Sequence, residues 1–506
     1  LPRAEARCCS GRVGGANFCA IWKYALLRGL ALASGLVLAS GLVLALSCSA
    51  QTLARPGWVG SGIGSDAWWR NAIFYRLDVS HFQDSDGDGV GDLRGVAQRL
   101  DYLQSLGVDA IVIGAPDDPD AFSDLVREAS SSHIRIVIEL PGSPEVVSNA
   151  RSWLTRGAAG ISIEGPFQTP ADEAAAHLHE LRALINSFPG ERVLLVSPTG
   201  QGGVTENDGA QLVGQIINLP KFFFGDNIHN SLWEAPHAPL PSGSSPLLQT
   251  GDRVADLFGD GTPRALGMQK IIAVKLFTSP GAVAFDWGQE LGLRRPPGEI
   301  AGMSSMQWTP SNVTPPKEEP VVEEPAKAAP VSDPNVYTAF KPYVAPKPVP
   351  KPKPANAPID PNSLPGFTSG KLRADPSPNG ATANVAVEDA DPISLLNFYR
   401  RLAQLHHDNS SIRSGTTYVL NHDAENAMVW VRRAPANSRT AANVIVTCNL
   451  GDKPLTLSLD DDLAKLHIRT GTLRPLLGSW TATPISQYSN HIVLPPYSVF
   501  IGELYH

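Results

Sequence analysis

The sequence has 506 residues, 42% of them hydrophobic and 18% charged, which is enough to bury a sizeable core in two to four domains and argues against overall disorder. A net charge of −8, with Lys and Arg scattered rather than striped, leaves no basic footprint for a phosphate backbone and argues against nucleic acid as a partner. Cys8, Cys9, Cys19 and Cys48 precede the globular region and only Cys448 lies within it, so the folded part holds no internal disulfide, and no Cys/His cluster has zinc spacing.

Residues 1–22 form an N-terminal segment, and 23–50 read as a signal peptide or signal anchor. The stretch from Gly29 to Ser47 is uncharged, repeats "ASGLVL" and follows Lys23 and Arg28. At 19 residues it is long for a cleaved apolar region and just long enough to span a bilayer. Export follows on either reading, leaving the protein membrane-anchored or free in the periplasm or outside the cell. Cys48 after "ALS" loosely resembles a bacterial lipoprotein acylation site, with Ala45 where Leu is usual; the alternative is an incidental thiol.

From residue 66 onward, short apolar runs rich in β-branched residues alternate with helical stretches, the pattern of parallel strands joined by crossover helices. The runs are "AIFYRL" (72–77), "DAIVIG" (109–114), "IRIVIEL" (134–140), "GISIEG" (160–165), "VLLVSP" (193–198), "GQIINL" (214–219), "PLLQTG" (246–251) and "GAVAFD" (281–286). Eight strands close a (β/α)8 barrel, an α/β fold of the TIM-barrel type, over 66–308. In "LRGVAQRLDYLQSLG", Leu93, Val96, Leu100, Leu103 and Leu106 share one helical face and serve packing.

Residues 309–365 interrupt the barrel with acidic and then basic proline-rich blocks, "PPKEEPVVEEP" and "APKPVPKPKP", which build no core and read as an extended insertion. It is a solvated spacer or, alternatively, a ligand for a proline-reading domain. The barrel ends over 366–412 with the helical run "DPISLLNFYRRLAQLHH". Over 413–506 the strands "TTYVL", "AMVWVRR", "NVIVTCNL", "LTLSL" and "HIVLPPYSVFIGEL" predict a C-terminal β-sandwich. Trp68 and Trp69 read as packing, and His406 and His407 as imidazolium groups complementing a helix C-terminus.

The motif with the most chemistry is "DSDGDGVGD". Asp84, Asp86, Asp88 and Asp92, spaced by glycines, let a tight loop wrap oxygens around a hard cation with the Val90 carbonyl as a further ligand, and Ca2+ is the natural occupant. The alternative is a solvated acidic turn whose anions repel.

The block "WWRNAIFYRLDVSHFQDSDGDGVGDLRGVAQRLDYLQSLGVDAI" resembles the opening of bacterial α-glucosidases and oligo-1,6-glucosidases of the α-amylase family, whose loop of this kind binds calcium. The likeness recurs at "WLTRGAAGI", "LFGDG", "SPGAVAFDWGQELGL", "MQWTPSN", "DPISLLNFYRRLAQLHH" and "LPPYSVFIGEL". The resemblance implies a (β/α)8 barrel acting on α-linked glucosides with retention, its active site at the strand ends. Such chemistry needs a carboxylate nucleophile and a second carboxyl about 5 Å away.

Against that pattern the sequence departs sharply. Glu164 takes the position of the nucleophile Asp, one methylene longer, and Ser162 that of the Arg that orients it. Ser197 and Pro198 stand where the general acid belongs, with Glu206 and Asp208 a few residues on. Leu248, Gln249 and Thr250 replace the "NHD" after strand seven, with Asp252 nearby; Ser143 and Pro144 replace the "NH" after strand three, and Glu139 an upstream Asp. The extra domain after strand three is missing, so the pocket is expected to be open and shallow.

The same departures resemble the heavy chains of heteromeric amino-acid transporters, an analogy for reuse of such a barrel with a protein partner at a membrane. Two functions stay open: a catalytically inactive carbohydrate-binding or partner-docking barrel of the cell envelope, or a divergent α-glucosidase or transglycosylase using Glu164.

Overall fold

The computed structural model describes residues 67–164, 167, 171–196, 209–217, 240–250, 254–258, 261–296, 304–310, 364, 366–373, 376–420, 426–436, 438 and 440–505. The apolar leader with Cys48, most of the proline-rich insertion, and Ser197, Pro198, Glu206, Asp208, Trp233 and Asp252 lie outside them. Among the described residues no helix is long and apolar enough to cross a membrane.

All eight apolar runs form strands: β1 (Ile73–Arg76), β2 (Ala110–Gly114), β3 (Arg135–Pro141), β4 (Gly160–Glu164), β5 (Val193–Val196), β6 (Leu212–Ile217), β7 (Ser245–Thr250) and β8 (Ala282–Asp286). They pair in parallel, in sequence order, into a closed barrel. Period-two alternation sorts each strand into two cores. Phe74, Val112, Val137, Leu195, Leu247 and Ala284 fill the barrel interior, whereas Tyr75, Ile111, Ile138, Ile163 and Phe285 face the surrounding helices. The register Arg76↔Asp286 and Glu139↔Ser162 carries the last inward positions to the carboxyl-terminal rim.

Helix boundaries follow local chemistry. Asp92 caps Leu93–Gln98 by accepting from Gly95 N. The expected long helix breaks at Arg99 (φ −111°) before resuming as Leu100–Leu106, and Gly107 (φ 86°) ends it in the left-handed conformation. The five leucine and valine positions predicted to pack are all buried. Asp118 caps Pro119–Ser131, with proline in the first turn. Only residues 142–145, including Ser143 and Pro144, separate β3 from the helix Val146–Thr155, so the strand-three extra domain is absent as expected.

The fold resumes at Leu364, just inside the bounds expected for the insertion, and at Phe367, both fully buried. The C-terminal domain is a six-stranded antiparallel sheet ordered β14 (Gln487–Tyr488), β13 (Thr472–Gly478), β16 (Ser498–Tyr505), β11 (Val444–Asn449), β10 (Ala427–Arg433) and β9 (Thr416–Leu420). A two-stranded pair, β12 (Leu455–Leu457) with β15 (Ile492–Leu494), completes it. Val429, Val431, Ile445 and Phe500 pack with Leu457 and Ile492, so the sandwich's second layer is only these two strands. The other face, with Trp430, Val446 and Ile501, belongs to the barrel's core through helix Pro263–Thr278.

One expectation is corrected. His406 is fully buried, with Nδ1 2.8 Å from Phe277 O and Nε2 3.0 Å from Asn71 O. Burial pushes its pKa down to about 4, with the two carbonyl contacts opposing, so the ring serves packing against Phe277 and Asn71 rather than balancing an exposed helix end.

Candidate functional site

The strand ends and the loops after β1, β2 and β8 enclose a cavity of about 1230 Å3 that opens to solvent. Glu164, at the end of β4, is exposed in it. Two residues that the sequence reading passed over share the cavity: Arg76 at the end of β1 and Asp286 at the end of β8. Each is the last, inward residue of an otherwise apolar run, which is the signal that could have found them.

Arg76 organises the rim. Its Nη2 donates to both oxygens of Glu139, at 3.1 and 3.4 Å, its Nη1 lies 3.5 Å from Gln249 Oε1, and its Nε is 3.9 Å from Asp286 Oδ1. Ser162 Oγ donates to Glu139 Oε1 at 3.3 Å. Arg76 on β1 and Ser162 on β4 thus share Glu139 as a partner. Burial raises the Glu139 carboxyl pKa, Arg76 opposes that, and the charge of Glu164 adds to the rise. On β7, Thr250 lines the cavity and its Oγ1 donates to Gln289 Oε1 at 3.2 Å.

Beside this rim lies the aspartate loop. Asp84 is 5% exposed and accepts from the backbone of Asp86, Gly87 and Gly89 at 3.1, 2.7 and 2.8 Å and from the Thr368 hydroxyl. Oxygens of Asp84, Asp86 and Asp88 lie within 4.8 Å of one another. Two ligands on opposite sides of a calcium ion stand about 5 Å apart, so this trio fits a hard divalent cation. Asp92 sits outside the trio: its oxygens accept from Ser85 N, Ser85 Oγ and Gly95 N. Val90 N is tied to Asp88 Oδ1 at 2.8 Å.

The segment after the insertion holds the loop in place. Phe367 O accepts from Asp84 N and Gln83 Nε2, and Arg373 pairs with Asp88 at 3.3 Å. Arg99, at the helix break, bonds Gln83 and Gly366 O and lies 4.0 Å over the Trp308 ring.

The "GQELGL" motif is structural. Glu290 is fully buried and accepts from Tyr75 and Tyr102 hydroxyls at 2.7 and 2.6 Å, fastening β1 and the helix Leu100–Leu106 to the loop after β8.

Residues 79–116, which span the aspartate loop and β2, match the family described as alpha amylase, catalytic domain. Over that stretch the chain is similar to the α-amylase family. Among curated proteins it is 40% identical over 123 residues to the trehalose-6-phosphate hydrolase of Escherichia coli, covering 20% of this chain and 21% of that protein. It is 54% identical over 46 residues to a probable oligo-1,6-glucosidase 2 of Bacillus subtilis, covering 9% and 8%. The chain thus spans about a fifth of the E. coli protein's length in alignment.

Among solved structures, trehalulose synthase from Pseudomonas mesoacidophila superposes with a TM-score of 0.62 at 15% identity, over 87% of this chain and 100% of that one. Isomaltulose synthase from Erwinia rhapontici gives 0.63 at 14% identity, over 88% and 100%. The fold shared with these two synthases therefore takes in most of this chain, well beyond the short stretches of sequence likeness.

Proposed function

We propose that this chain binds α-linked glucosides in its barrel mouth at the cell envelope without cleaving them by the family's carboxylate chemistry. The observation that carries the reading is the Arg76–Glu139 ion pair. The guanidinium of Arg76 is committed to Glu139 and stands close to Asp286, whereas hydrolysis asks for a clamped nucleophile and a separately protonated acid. The side chains at the rim remain good partners for sugar hydroxyls, since carboxylates accept and Arg76 and Gln249 can donate. Envelope location rests on the uncharged leader, and calcium at Asp84, Asp86 and Asp88 would brace the loop that walls the cavity.

A second reading has its own support. In a ring of eight strands, β8 stands opposite β4, so Asp286 faces the mouth from the side away from Glu164. Because both carboxylates line the one cavity, the second reading is a divergent α-glucosidase in which Glu164 and Asp286 replace the family's pair.

Calorimetric titration of the full chain with maltose and isomaltose, beside turnover of an activated aryl α-glucoside, separates the two. Saccharide binding without turnover supports the first reading. Turnover abolished by Glu164→Gln replaces it with the second, and absence of any saccharide binding overturns both.

A further inference from the structure

The charge of the cavity sets a direction for its ligand. Among the described residues that line it, eight carboxylates, those of Asp78, Asp86, Asp92, Asp117, Asp118, Glu139, Glu164 and Asp286, face two guanidinium groups, Arg76 and Arg94. Calcium on the aspartate loop would offset Asp86, yet the remaining acids still outnumber the cations. Arg76 is already spent on Glu139.

Several of these acids are occupied within the fold. Asp118 caps Pro119–Ser131, Asp92 caps the helix after the loop, and Asp78 accepts from Ser80 and stands 3.1 Å from His81 Nδ1. Those bonds leave the negative charge in place while removing the freedom of the side chains. Glu164 and Asp117 differ. Both are exposed in the cavity, and neither has a hydrogen bond or ion pair within the described residues.

A walled cleft lined by charges of one sign concentrates ligands of the opposite sign and repels those of the same sign. On these grounds we infer that the cleft selects among α-glucosides by charge, favouring sugars that bear an ammonium group and excluding phosphorylated ones. This rests on the saccharide-binding reading and adds the substrate class to it. Glu164 and Asp117 are the groups that an amino sugar would meet, since they alone keep both carboxylate oxygens uncommitted among the acids just named.

The magnitude is testable. A unit charge about 6 Å from a carboxylate in water-like surroundings gains roughly threefold in affinity, so two such groups give about tenfold at low salt, and a Debye length of about 10 Å at 0.1 M erodes the effect.

The full chain is titrated calorimetrically at pH 7 with maltose, its 6′-amino-6′-deoxy derivative and its 6′-phosphate, in low and in high sodium chloride. The amino sugar is expected to bind about tenfold more tightly than maltose, and the phosphate, which carries about −1.5 to −2 charge at pH 7, on the order of thirty- to a hundredfold more weakly, with both ratios shrinking toward one in high salt. Replacing Glu164→Gln and Asp117→Asn together narrows the amino-to-maltose ratio, and the salt series on the unaltered chain tests the idea even if that variant does not fold. Equal binding of all three sugars, or a ranking that salt leaves unchanged, overturns the charge selection while the saccharide reading stands. Failure of maltose and both derivatives to bind removes the two together.

Discussion

Arg76 on β1 is bonded to Glu139 on β3 across an intervening strand, Nη2 to Oε1 at 3.1 Å. β2 ends at that level in Gly114, which pairs with Glu139 and adds no side chain to the rim. Both partners are largely shielded, with side chains 25% and 15% exposed.

Removing one partner of this pair leaves the other charged and poorly solvated. Arg76→Met is therefore expected to lower unfolding stability by about 1–3 kcal/mol and to push the Glu139 carboxyl pKa further up, since burial would then act without its cation. Adding Glu139→Gln to that variant should recover part of the loss. Urea melts of the two single variants and the double variant measure the coupling, and an additive result would mean that the pair contributes nothing.

The aspartate loop depends on backbone geometry as much as on charge. Gly89 has φ +91°, and a Cβ built there would lie 2.1 Å from Lys371 O in the segment that follows the insertion. Gly89→Ala should cost about 1–3 kcal/mol through strain and the displaced contact, with any calcium-dependent rise in melting temperature reduced in parallel. Burial alone would raise the Asp84 carboxyl pKa, but hydrogen bonds from Thr368, Gly87, Gly89 and Asp86 hold it below the ordinary carboxylate range. Its stabilising contribution is thus present above that range and lost as pH falls through the depressed folded value. Asp84→Asn, which cannot accept at both positions, should flatten this acid limb in melts followed from pH 6 to pH 2.

The barrel was legible because each strand is a short apolar run that must be buried on both faces, and such runs stand out regardless of what they surround. The rim was less so. Ser162 stands at the position that the resemblance gives to an arginine, whereas the guanidinium that holds Glu139 is Arg76 on β1, which only inward parity marks. Asp286 escaped for the same reason. β13 escaped because Pro475 in "TLRPLLG" argues against a strand; the structure accommodates it at an irregularity between Pro475 and Leu477. The break at Arg99 follows from side-chain bonds to Gln83 and Gly366, partners distant in sequence that no helical periodicity could register.

The junction between barrel and C-terminal sheet carries a titration of its own. Lys275, in the helix Pro263–Thr278, is 2% exposed, with Nζ 5.8 Å from the Trp430 ring centroid. Burial, and then the adjacent Arg432, lower its pKa to about 7 from the ordinary 10.5, with the Cys448 thiol opposing. Between those two values the unfolded chain holds a proton that the folded chain gives up. Stability therefore rises with pH across that window, by up to about 1.4 kcal/mol per pH unit from this group. Lys275→Met keeps the length and removes the charge, so it should be more stable than the unaltered chain near pH 7, with the advantage shrinking toward pH 10. Thermal melts of the two proteins at pH 7, 8, 9 and 10 isolate the effect, because all other titrations are shared; a difference that stays constant with pH would show that Lys275 keeps its proton in the folded state.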